Sequence, residues 1–449
     1  MHYQEAMKHI GQLSKFGINL GLSRMERLLG FLGNPERGLR CIHVAGTNGK
    51  GSTSAMIASI LRESGYRAGL FTSPHLERYT ERIQVDSREI PEADVSLGMS
   101  RLHPLIEKAA SEVGQPTEFE ATTALALWYF AREKVDWAVL EVGLGGELDS
   151  TNLITPAVTV ITNVSLDHTD ILGPDIKSIA AAKAGTIKPG VPVVTAAEGS
   201  AFEVIEQKAL ELGSPLIRVV PAGEVAPSGS VSWNWTGNRG QEPPSLTVSG
   251  RRGSYPGLTL SLLGRHQAAN AAAAIAAVEV LVERGADASL ATIARGLAGT
   301  FWPGRLELIR PDPPIIVDGA HNLAGAVSLR EALDDYYPGR RRHLVLGILK
   351  DKDWRGIARV LAPTAESVIV TPPPNPRAGE MEELVEECAR LCGETSYEPD
   401  NRAAIARGLE RVGINRGRGP GPDRSNLLCV TGSLFLVGPA RRCLFELLR

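Results

Sequence analysis

The stretch Val44-Ala45-Gly46-Thr47-Asn48-Gly49-Lys50-Gly51-Ser52-Thr53 decides how this chain folds, because a glycine-rich turn stands between an apolar run and a helical pattern. Backbone N–H groups of such a turn point at one spot, and the positive end of the following helix adds to their field. The turn therefore predicts a phosphate site, with Lys50 at the terminal phosphates and Ser52 or Thr53 near a bound Mg²⁺. The alternative is a tight turn whose glycines serve only the backbone.

The composition, with 43% hydrophobic and 22% charged residues, is that of a soluble globular protein. At 449 residues it is too long for one core, so two or three domains are expected. A formal net charge of −3 argues against a general nucleic-acid or membrane partner. Five cysteines without framework spacing, and a start without a signal-peptide pattern, favour a reduced compartment. We expect a cytoplasmic monomer with small-molecule partners.

Short β-branched runs alternate with helical patterns, which predicts an α/β fold with a mostly parallel sheet covered on both faces. The first predicted strands are 41–44, 68–71, 137–141, 158–162 and 191–195. The helices predicted around them are 25–31, 54–64, 92–112, 119–133, 176–184, 201–212, 266–283 and 290–297. Ligands of such sheets bind at the carboxyl ends of the strands, where residues 46–52 fall.

We expect the chain to divide at residues 301–306, where Pro303 and Gly304 interrupt the helical pattern. Residues 1–300 would form the phosphate-binding domain, with a small β-rich insert at about 217–263 that is either antiparallel or a loose loop. Residues 307–449 resume the alternation and predict a smaller doubly wound α/β domain. Its predicted strands are 315–317, 344–346, 367–370 and 427–430, and its predicted helices are 324–334, 354–361, 380–391 and 402–411. The Gly-, Arg- and Pro-rich run 416–424 is predicted to be a surface loop.

Polar side chains follow three more predicted strands. Ser73 and His168 come after strand ends, and Glu141 closes an apolar strand and precedes the glycines at 143, 145 and 146. Because the carboxyl ends of parallel strands meet at one edge, these groups could hold Mg²⁺ beside the phosphates. Taken singly, Ser73 could cap a turn, Glu141 could form a salt bridge, and His168 could face solvent.

Two further motifs leave alternatives open. Lys183 lies among alanines in a predicted helix, where it either extends its charge to solvent or is desolvated. A desolvated, neutral amine can add CO₂ and become a carbamate, which could bind Mg²⁺. The run 318–322 follows a strand, so with Arg305 it could close over a nucleotide from the opposite side. It could instead be a helix start capped by Asn322.

These stretches together resemble the folylpolyglutamate synthase and dihydrofolate synthase family, within the wider family of Mur-type ATP-dependent amide ligases. The resemblance runs from about residue 19 to residue 434, and several motifs in the same order carry it. The matching stretches are 43–54, 72–76, 140–152, 167–173, 183–189, 263–270, 302–307 and 318–322.

The resemblance implies a P-loop, Mur-ligase-like ATPase domain followed by a smaller α/β domain on the glutamate and nucleotide side. It implies that the ATP phosphates are bound by Gly46, Thr47, Asn48, Gly49, Lys50, Gly51 and Ser52. It implies further nucleotide contacts from Asn270, Arg305 and Asp318, with His321 near the phosphates.

The resemblance also implies Mg²⁺ ligands, a modified lysine and a folate pocket. Ser73, Glu141 and His168 would hold Mg²⁺, and Lys183 would be carbamylated. Lys50, Lys183 and His321 would be the catalytic residues. The pterin or folate would lie near Pro74, His75, Phe119, Glu120, Ala121, Thr122, Leu148 and Asp149.

We therefore expect an ATP-dependent ligase that adds L-glutamate to dihydropteroate, to reduced folates, or to both, through an acyl phosphate. Three alternatives stay open at this point. A P-loop NTPase or kinase would explain the loop and Glu141 but not the second domain. A nucleotide-sensing protein would perform no chemistry. A Mur ligase of cell-wall precursor synthesis would share the chemistry but not the acceptor.

Overall fold

Two β-sheets, each flanked by helices, organise the chain. The structure, a computed structural model, describes residues 1–17, 19–237, 244–414 and 423–448. Within these residues, eleven strands form the first sheet and six form the second. The turn between the last helix of the first unit and the first strand of the second contains residues 301–306, where the chain was expected to divide.

The first sheet has the order β11-β10-β9-β8-β7-β6-β1-β5-β2-β3-β4, and its centre is parallel from β2 through β9. Hairpins at both edges, β2-β3-β4 and β9-β10-β11, are antiparallel. The strands are β1 (Cys41–Ala45), β2 (Ala68–Phe71), β3 (Ile83–Val85), β4 (Arg88–Glu89), β5 (Trp137–Glu141), β6 (Val158–Ile161), β7 (Val193–Thr195), β8 (Leu216–Pro221), β9 (Val231–Trp235), β10 (Leu246–Ser249) and β11 (Ser254–Leu258).

Ten helices of the described residues cover this sheet, and their local sequences explain where they begin. Thr117 caps α5 and forms a capping box with Glu120, and Asp175 caps α7. The alanines of α9 let it approach the sheet closely beside α3. The helices are α1 (Tyr3–Leu13), α2 (Ser23–Leu32), α3 (Lys50–Glu63), α4 (Glu92–Val113), α5 (Glu118–Glu133), α6 (Thr169–Leu172), α7 (Ile176–Ala184), α8 (Gly199–Glu211), α9 (Arg265–Glu283) and α10 (Leu290–Ala298).

The second sheet has the order β12-β13-β17-β14-β15-β16, with β12 antiparallel and the other strands parallel. Its strands are β12 (Glu307–Pro311), β13 (Pro314–Asp318), β14 (Arg341–Leu346), β15 (Ser367–Val370), β16 (Thr395–Tyr397) and β17 (Asn426–Thr431). Its helices are α11 (Leu323–Tyr336), α12 (Trp354–Leu361), α13 (Glu382–Leu391), α14 (Asn401–Arg411) and α15 (Leu434–Leu447). Apolar clusters on both sheet faces make this unit doubly wound.

The α/β fold with a mostly parallel sheet and a smaller second sheet is confirmed, but the prediction for the insert was wrong in part. The segment at 217–263 is not separate, because β8 and β9 continue the main sheet in parallel and only β10 and β11 are antiparallel. Buried Val219, Val231 and Val248 join the same core as the central strands, so burial decided its position.

Several elements carried too weak a pattern to be predicted. They are α1, α15, the edge strands β3, β4, β12 and β16, and the one-turn helix α6. Most of the predicted surface loop at 416–424 lies outside the described residues. Among the residues that the structure describes, no helix is long and apolar enough to cross a membrane.

Candidate nucleotide and metal site

The predicted phosphate loop opens at the carboxyl edge of the first sheet. The neighbouring strands β6, β1, β5 and β2 end together, since Val44 pairs with Glu141 and Phe71 with Leu140. Above these ends lies a cavity of about 490 Å³, which we call the first cavity. The predicted residues that line it are Gly46, Thr47, Asn48, Gly49, Lys50, Gly51, Ser52, Ser73, Pro74, Glu141, His168, Lys183, Asn270, Arg305, Asp318 and His321.

Residues that follow β6 form hydrogen bonds with the backbone of the phosphate loop. Thr162 Oγ1 and Asn163 Nδ2 donate to the Asn48 carbonyl at 2.7 and 2.9 Å. Gly49 has a left-handed backbone with φ of 82°, where a glycine is favoured, and α3 begins at the next residue. The first turn of α3 therefore faces the first cavity with its N-terminal N–H groups, as a phosphate site requires.

Lys50 points back along the loop. Its Nζ donates to the Thr47 carbonyl at 3.2 Å. Burial lowers the pKa of Lys50, and the nearby carboxylates of Glu141 and Asp167 oppose that shift. An anionic phosphate in the cavity would favour the charged ammonium in the same way.

The segment between the two sheets contacts the loop directly. A Cβ on Gly51 would lie 2.8 Å from Cζ2 of Trp302, closer than carbon atoms pack. The glycine between Lys50 and the hydroxyl pair therefore lets the indole reach the first turn of α3. Ser52 is buried, and Gln267 Nε2 reaches its hydroxyl at 3.4 Å.

The three predicted metal ligands reach the same cavity from three strand ends. Glu141 is 5% exposed, accepts a hydrogen bond from the Ser73 backbone N–H at 3.2 Å, and has its pKa raised by burial. Burial and Lys352 lower the pKa of His168 to about 4, so its imidazole is neutral, as a metal ligand must be. A carboxylate, a hydroxyl and a neutral imidazole are a donor set that fits a divalent cation.

Lys183 is desolvated and does not extend its charge to solvent, which was the other interpretation of the sequence. It is 4% exposed in α7, and its Nζ donates to the Gly46 carbonyl at 3.0 Å. Burial, with a smaller contribution from Lys50, lowers the pKa of Lys183 to about 7. A large fraction of the amine is therefore neutral near physiological pH, which is the form that reacts with CO₂.

The second unit closes the opposite side of the cavity. The carboxylate of Asp318 accepts from the backbone N–H groups of Leu306 and Ala320 at 2.7 and 2.8 Å, so it shapes its own turn. His321 Nδ1 donates to the Gly319 carbonyl at 2.8 Å, a tautomer assigned from that acceptor. Its Nε2 then faces Asp167 Oδ2 at 3.6 Å.

Sequence reasoning missed the residues that join the two units. Lys352 Nζ lies 2.5 Å from Asp167 Oδ1, and both side chains are under a tenth exposed. Asn322 donates to Asp167 Oδ2 at 3.0 Å and pairs with Asn48. The sequence gives only weak signals for these contacts. Asp167 directly precedes His168, which stands out more as a candidate ligand, and Asn322 has the pattern of a helix cap.

The predicted folate residues do not form one surface. Ala121 and Thr122 are wholly buried, and Glu120 is 1% exposed in an ion pair with Arg24, so these three cannot contact a ligand in this conformation. Asp149 is also buried, and its carboxylate accepts hydrogen bonds from the backbone N–H groups of Leu144 and Thr151. The core and the caps use these side chains, so a folate near them would have to be contacted by other groups of the same segments.

The other predicted folate residues keep some accessible surface. Leu148 is exposed, and Phe119 is half-buried against Gly143. Pro74 and His75 line a second cavity of about 390 Å³. This second cavity shares Pro74 and Arg305 with the first and also includes Trp302 and the exposed Phe301.

Comparison with known proteins places both units in one family of ligases. Residues 44–278 match the family model described as the Mur ligase middle domain, and residues 304–433 match the Mur ligase, glutamate ligase domain. The dihydrofolate synthase/folylpolyglutamate synthase of Bacillus subtilis is 36% identical over 450 residues, which is 98% of each chain.

Solved structures of folate ligases resemble this structure over nearly the whole chain. The Mycobacterium tuberculosis folylpolyglutamate synthase complexed with ADP aligns with a TM-score of 0.88 at 32% identity, covering 98% of each chain. The Escherichia coli FolC protein in complex with DHPP and ADP aligns with a TM-score of 0.85 at 29% identity, again over 98% of each chain. These similarities favour folate ligases over the cell-wall alternative.

Proposed function

This chain belongs to the dihydrofolate synthase/folylpolyglutamate synthase family of Mur ligases, and from that premise we propose that it joins L-glutamate to dihydropteroate, to reduced folates, or to both, at the expense of ATP. The observation that supports this most is the convergence of Lys50, Glu141, His168 and Lys183 with Arg305 and His321 on one cavity between two units. A nucleotide held by one unit can react there with groups brought by the other.

The chemistry explains why ATP and two units are needed. A carboxylate does not react with an amine because oxide is a poor leaving group. Transfer of the γ-phosphoryl group to the acceptor carboxylate forms an acyl phosphate, with ADP leaving. The amine of glutamate then attacks the acyl carbon, the amide bond forms, and phosphate leaves.

The phosphate loop would carry most of the charge stabilisation. The N–H groups at the start of α3 and the Lys50 ammonium would bind the transferring phosphoryl group. We propose that Ser73, Glu141 and His168 hold Mg²⁺. When bound, this ion would neutralise the phosphate oxygens and orient them for in-line transfer.

The second unit would supply alignment and charge stabilisation. His321 is oriented by its Nδ1 contact to the Gly319 carbonyl and lines the first cavity, where it would stand near the transferring phosphoryl group. Both oxygens of Asp318 accept backbone N–H groups, so we assign that residue to holding the turn. Trp302 and Arg305 would help exclude water, which competes with the amine for the acyl phosphate.

We propose that the acceptor acid occupies the second cavity. This cavity joins the first at Pro74 and Arg305, and Phe301 is 72% exposed beside Trp302. Exposed aromatic surface suits stacking with a pteridine or a benzoyl group. The acceptor carboxylate would then enter the first cavity past Arg305.

The deciding experiment is ligation with defined acceptors. ATP, Mg²⁺ and glutamate are supplied with either dihydropteroate or tetrahydrofolate, and product mass and phosphate release are measured. We expect one added glutamyl residue with at least one acceptor, and phosphate release that needs both acceptor and glutamate. Phosphate release without either substrate, or no amide product, would overturn the proposed function. The ratio of the two products decides between first addition and chain extension.

The same assay tests the phosphate loop. We expect Lys50→Ala to lower kcat by roughly 10²–10³-fold because it removes a donor to the transferring phosphoryl group. Lys8→Ala, on the exposed face of α1, is the matched control and should keep wild-type rates. Full activity of Lys50→Ala would remove the loop lysine from the mechanism.

A further inference from the structure

Asn322 connects the two units at the mouth of the first cavity. Its side chain is 3% exposed, although it lies in a turn between β13 and α11. It donates to Asn48 Oδ1 and to Asp167 Oδ2, both at 3.0 Å, and accepts from Asn48 Nδ2 at 3.1 Å. One amide thus contacts the phosphate loop and the loop after β6 at the same time.

The orientation of this amide is set by the helix that it caps. Asn322 Oδ1 accepts from the Gly325 backbone N–H at 2.9 Å, so the oxygen must face α11. Its two N–H groups are then directed at Asn48 and Asp167. Both donors and both acceptor positions of the amide are used, which is the full capacity of an asparagine.

The partners of Asn322 are themselves fixed within the first unit. The backbone of Asn48 is held by Thr162 and Asn163, which leaves its side chain for the pair across the cleft. Asp167 accepts from the His168 backbone N–H at 2.9 Å within the first unit and also forms the ion pair with Lys352 of the second unit. Asn322 therefore contacts two residues of the first unit whose positions other hydrogen bonds help to fix.

We propose that Asn322 is a positioning residue: it docks the turn at 318–321 onto the phosphate loop, so that His321 reaches the reacting groups only when Asn48 has its present conformation. His321 precedes Asn322 in the same turn and faces Asp167 at 3.6 Å. A phosphate loop that changes its conformation would break the reciprocal amide pair and weaken the docking of this turn, while the Lys352–Asp167 ion pair would remain. The position of the turn then follows the conformation of the phosphate loop through the Asn48–Asn322 pair.

The kinetic test of this positioning role rests on the proposed function, because it measures ligation of glutamate. It predicts that loss of Asn322 affects glutamate kinetics but not ADP binding. Asn322 touches neither the phosphates nor the substrates in our proposal, so its loss should leave ADP affinity almost unchanged. It should lower kcat/KM for glutamate by roughly 10- to 100-fold, since misplacement by about 1 Å has effects of that size. Loss of a residue that only stabilised the fold would lower the melting temperature, but it would not lower kcat/KM for glutamate while leaving ADP affinity unchanged.

Variants at position 322 can separate the role of Asn322 as the cap of α11 from its role in the amide pair with Asn48. Asn322→Ser keeps a good helix cap but is too short to reach Asn48. Asp400→Ser changes a similar cap, at the start of α14 on the same unit, and is the matched control. Asn322→Asp keeps both cap and size but loses the amide donors and sets a carboxylate against Asp167. Asn48→Ala removes the partner side chain, while the backbone contacts of the loop remain.

A double-mutant cycle decides the proposal. We expect N322S and N322D to lose kcat/KM for glutamate, D400S to resemble wild type, and N48A/N322S to be no worse than the poorer single variant. Independent, multiplicative losses in the cycle, or wild-type kinetics in N322D, would overturn it. Small-angle scattering with ADP bound needs no turnover, and N322S should be more open than wild type and D400S. Equal scattering profiles would also overturn the docking role, whereas a wild type without amide product would count against the proposed function alone.

Discussion

Lys183 shows how strongly burial can lower the pKa of a lysine. In α7 it lies among alanines, and its Nζ contacts a backbone carbonyl of the phosphate loop. Burial disfavours the ammonium, so its pKa falls to about 7 from the ordinary 10.5. The amine is protonated below that pH and neutral above it, so carbamate formation should be lost as the pH falls through about 7.

We expect wild-type protein in bicarbonate buffer to carry a carbamate at Lys183, with occupancy and activity rising together from about pH 6 to about pH 8. Carbon-13 NMR of protein equilibrated with labelled bicarbonate would detect it. Lys177→Met, on the exposed face of the same helix, should leave the signal unchanged, and Lys183→Met should remove it. Rescue of Lys183→Ala by short carboxylic acids would show that a carboxylate is the required group. An unmodified and fully active wild type would disprove the carbamate.

At the scale of elements, the start of α3 is where strand, turn and helix meet the segment between the units. Only a glycine at position 51 leaves room for the indole of Trp302 on the first helical turn. The start of α3 and the segment that leads into the second unit are therefore in direct contact.

We expect Gly51→Ala to lower kcat/KM for ATP by roughly 10- to 100-fold, because its Cβ would lie 2.8 Å from the indole and must displace it or the helix start. Steady-state kinetics and ADP binding by calorimetry would measure this. Gly30→Ala is the control: it lies within α2 with nothing within 4 Å of its Cβ, and should stabilise the fold by about 0.5–1 kcal/mol. Adding Trp302→Ala to Gly51→Ala should recover ADP affinity. Unaltered ATP kinetics in Gly51→Ala would contradict the steric argument.

At the scale of the whole molecule, contacts among the described residues join the two units both at the cleft and away from it. On the cleft side, Asn322 and Lys352 meet Asn48 and Asp167. On the other side, Gly438 of α15 packs so closely on the Leu76 carbonyl that a Cβ would lie 1.9 Å from its oxygen. The second side is the more closely packed, and we expect it to act as the hinge when the cleft opens.

Arg441 is the main polar contact of that hinge. It donates to Glu307 at 2.9 and 3.0 Å and to Glu77 of the first unit at 2.7 Å, and its side chain is 19% exposed. We expect Arg441→Met to lose about 1.5–3 kcal/mol of stability, since it leaves the largely buried Glu307 carboxylate without a cation and leaves Glu77 with only the longer contact to Arg442. Arg442→Met, at a residue that is 59% exposed with a 3.4 Å contact to Glu77, should change stability by less than about 0.5 kcal/mol. Denaturant titration of both variants measures this, and equal losses would contradict the hinge assignment.

Much of the fold and part of the site could be predicted because local patterns carry them. Strands such as β1 and β5 are continuous apolar runs, and the polar groups at their ends follow from parallel topology. The edge strands and the continuation of the sheet through β8 and β9 could not be predicted, since short runs with mixed burial take their partners from distant residues. The burial of Ala121 and Thr122 could not be predicted either, because a sequence motif does not reveal which face of a helix the core covers.

The sequence by itself determined the glycine-rich loop between β1 and α3, the polar groups at the strand ends and the order of the two α/β units, because each depends on a run of neighbouring residues with its own backbone requirement. Only the tertiary structure decided that Lys183 is desolvated, that Trp302 lies on Gly51, and that Asn322 and Lys352 meet Asn48 and Asp167. Those contacts join residues up to 274 positions apart. Their strength depends on burial and distance, which are properties of the packed chain and not of any single segment.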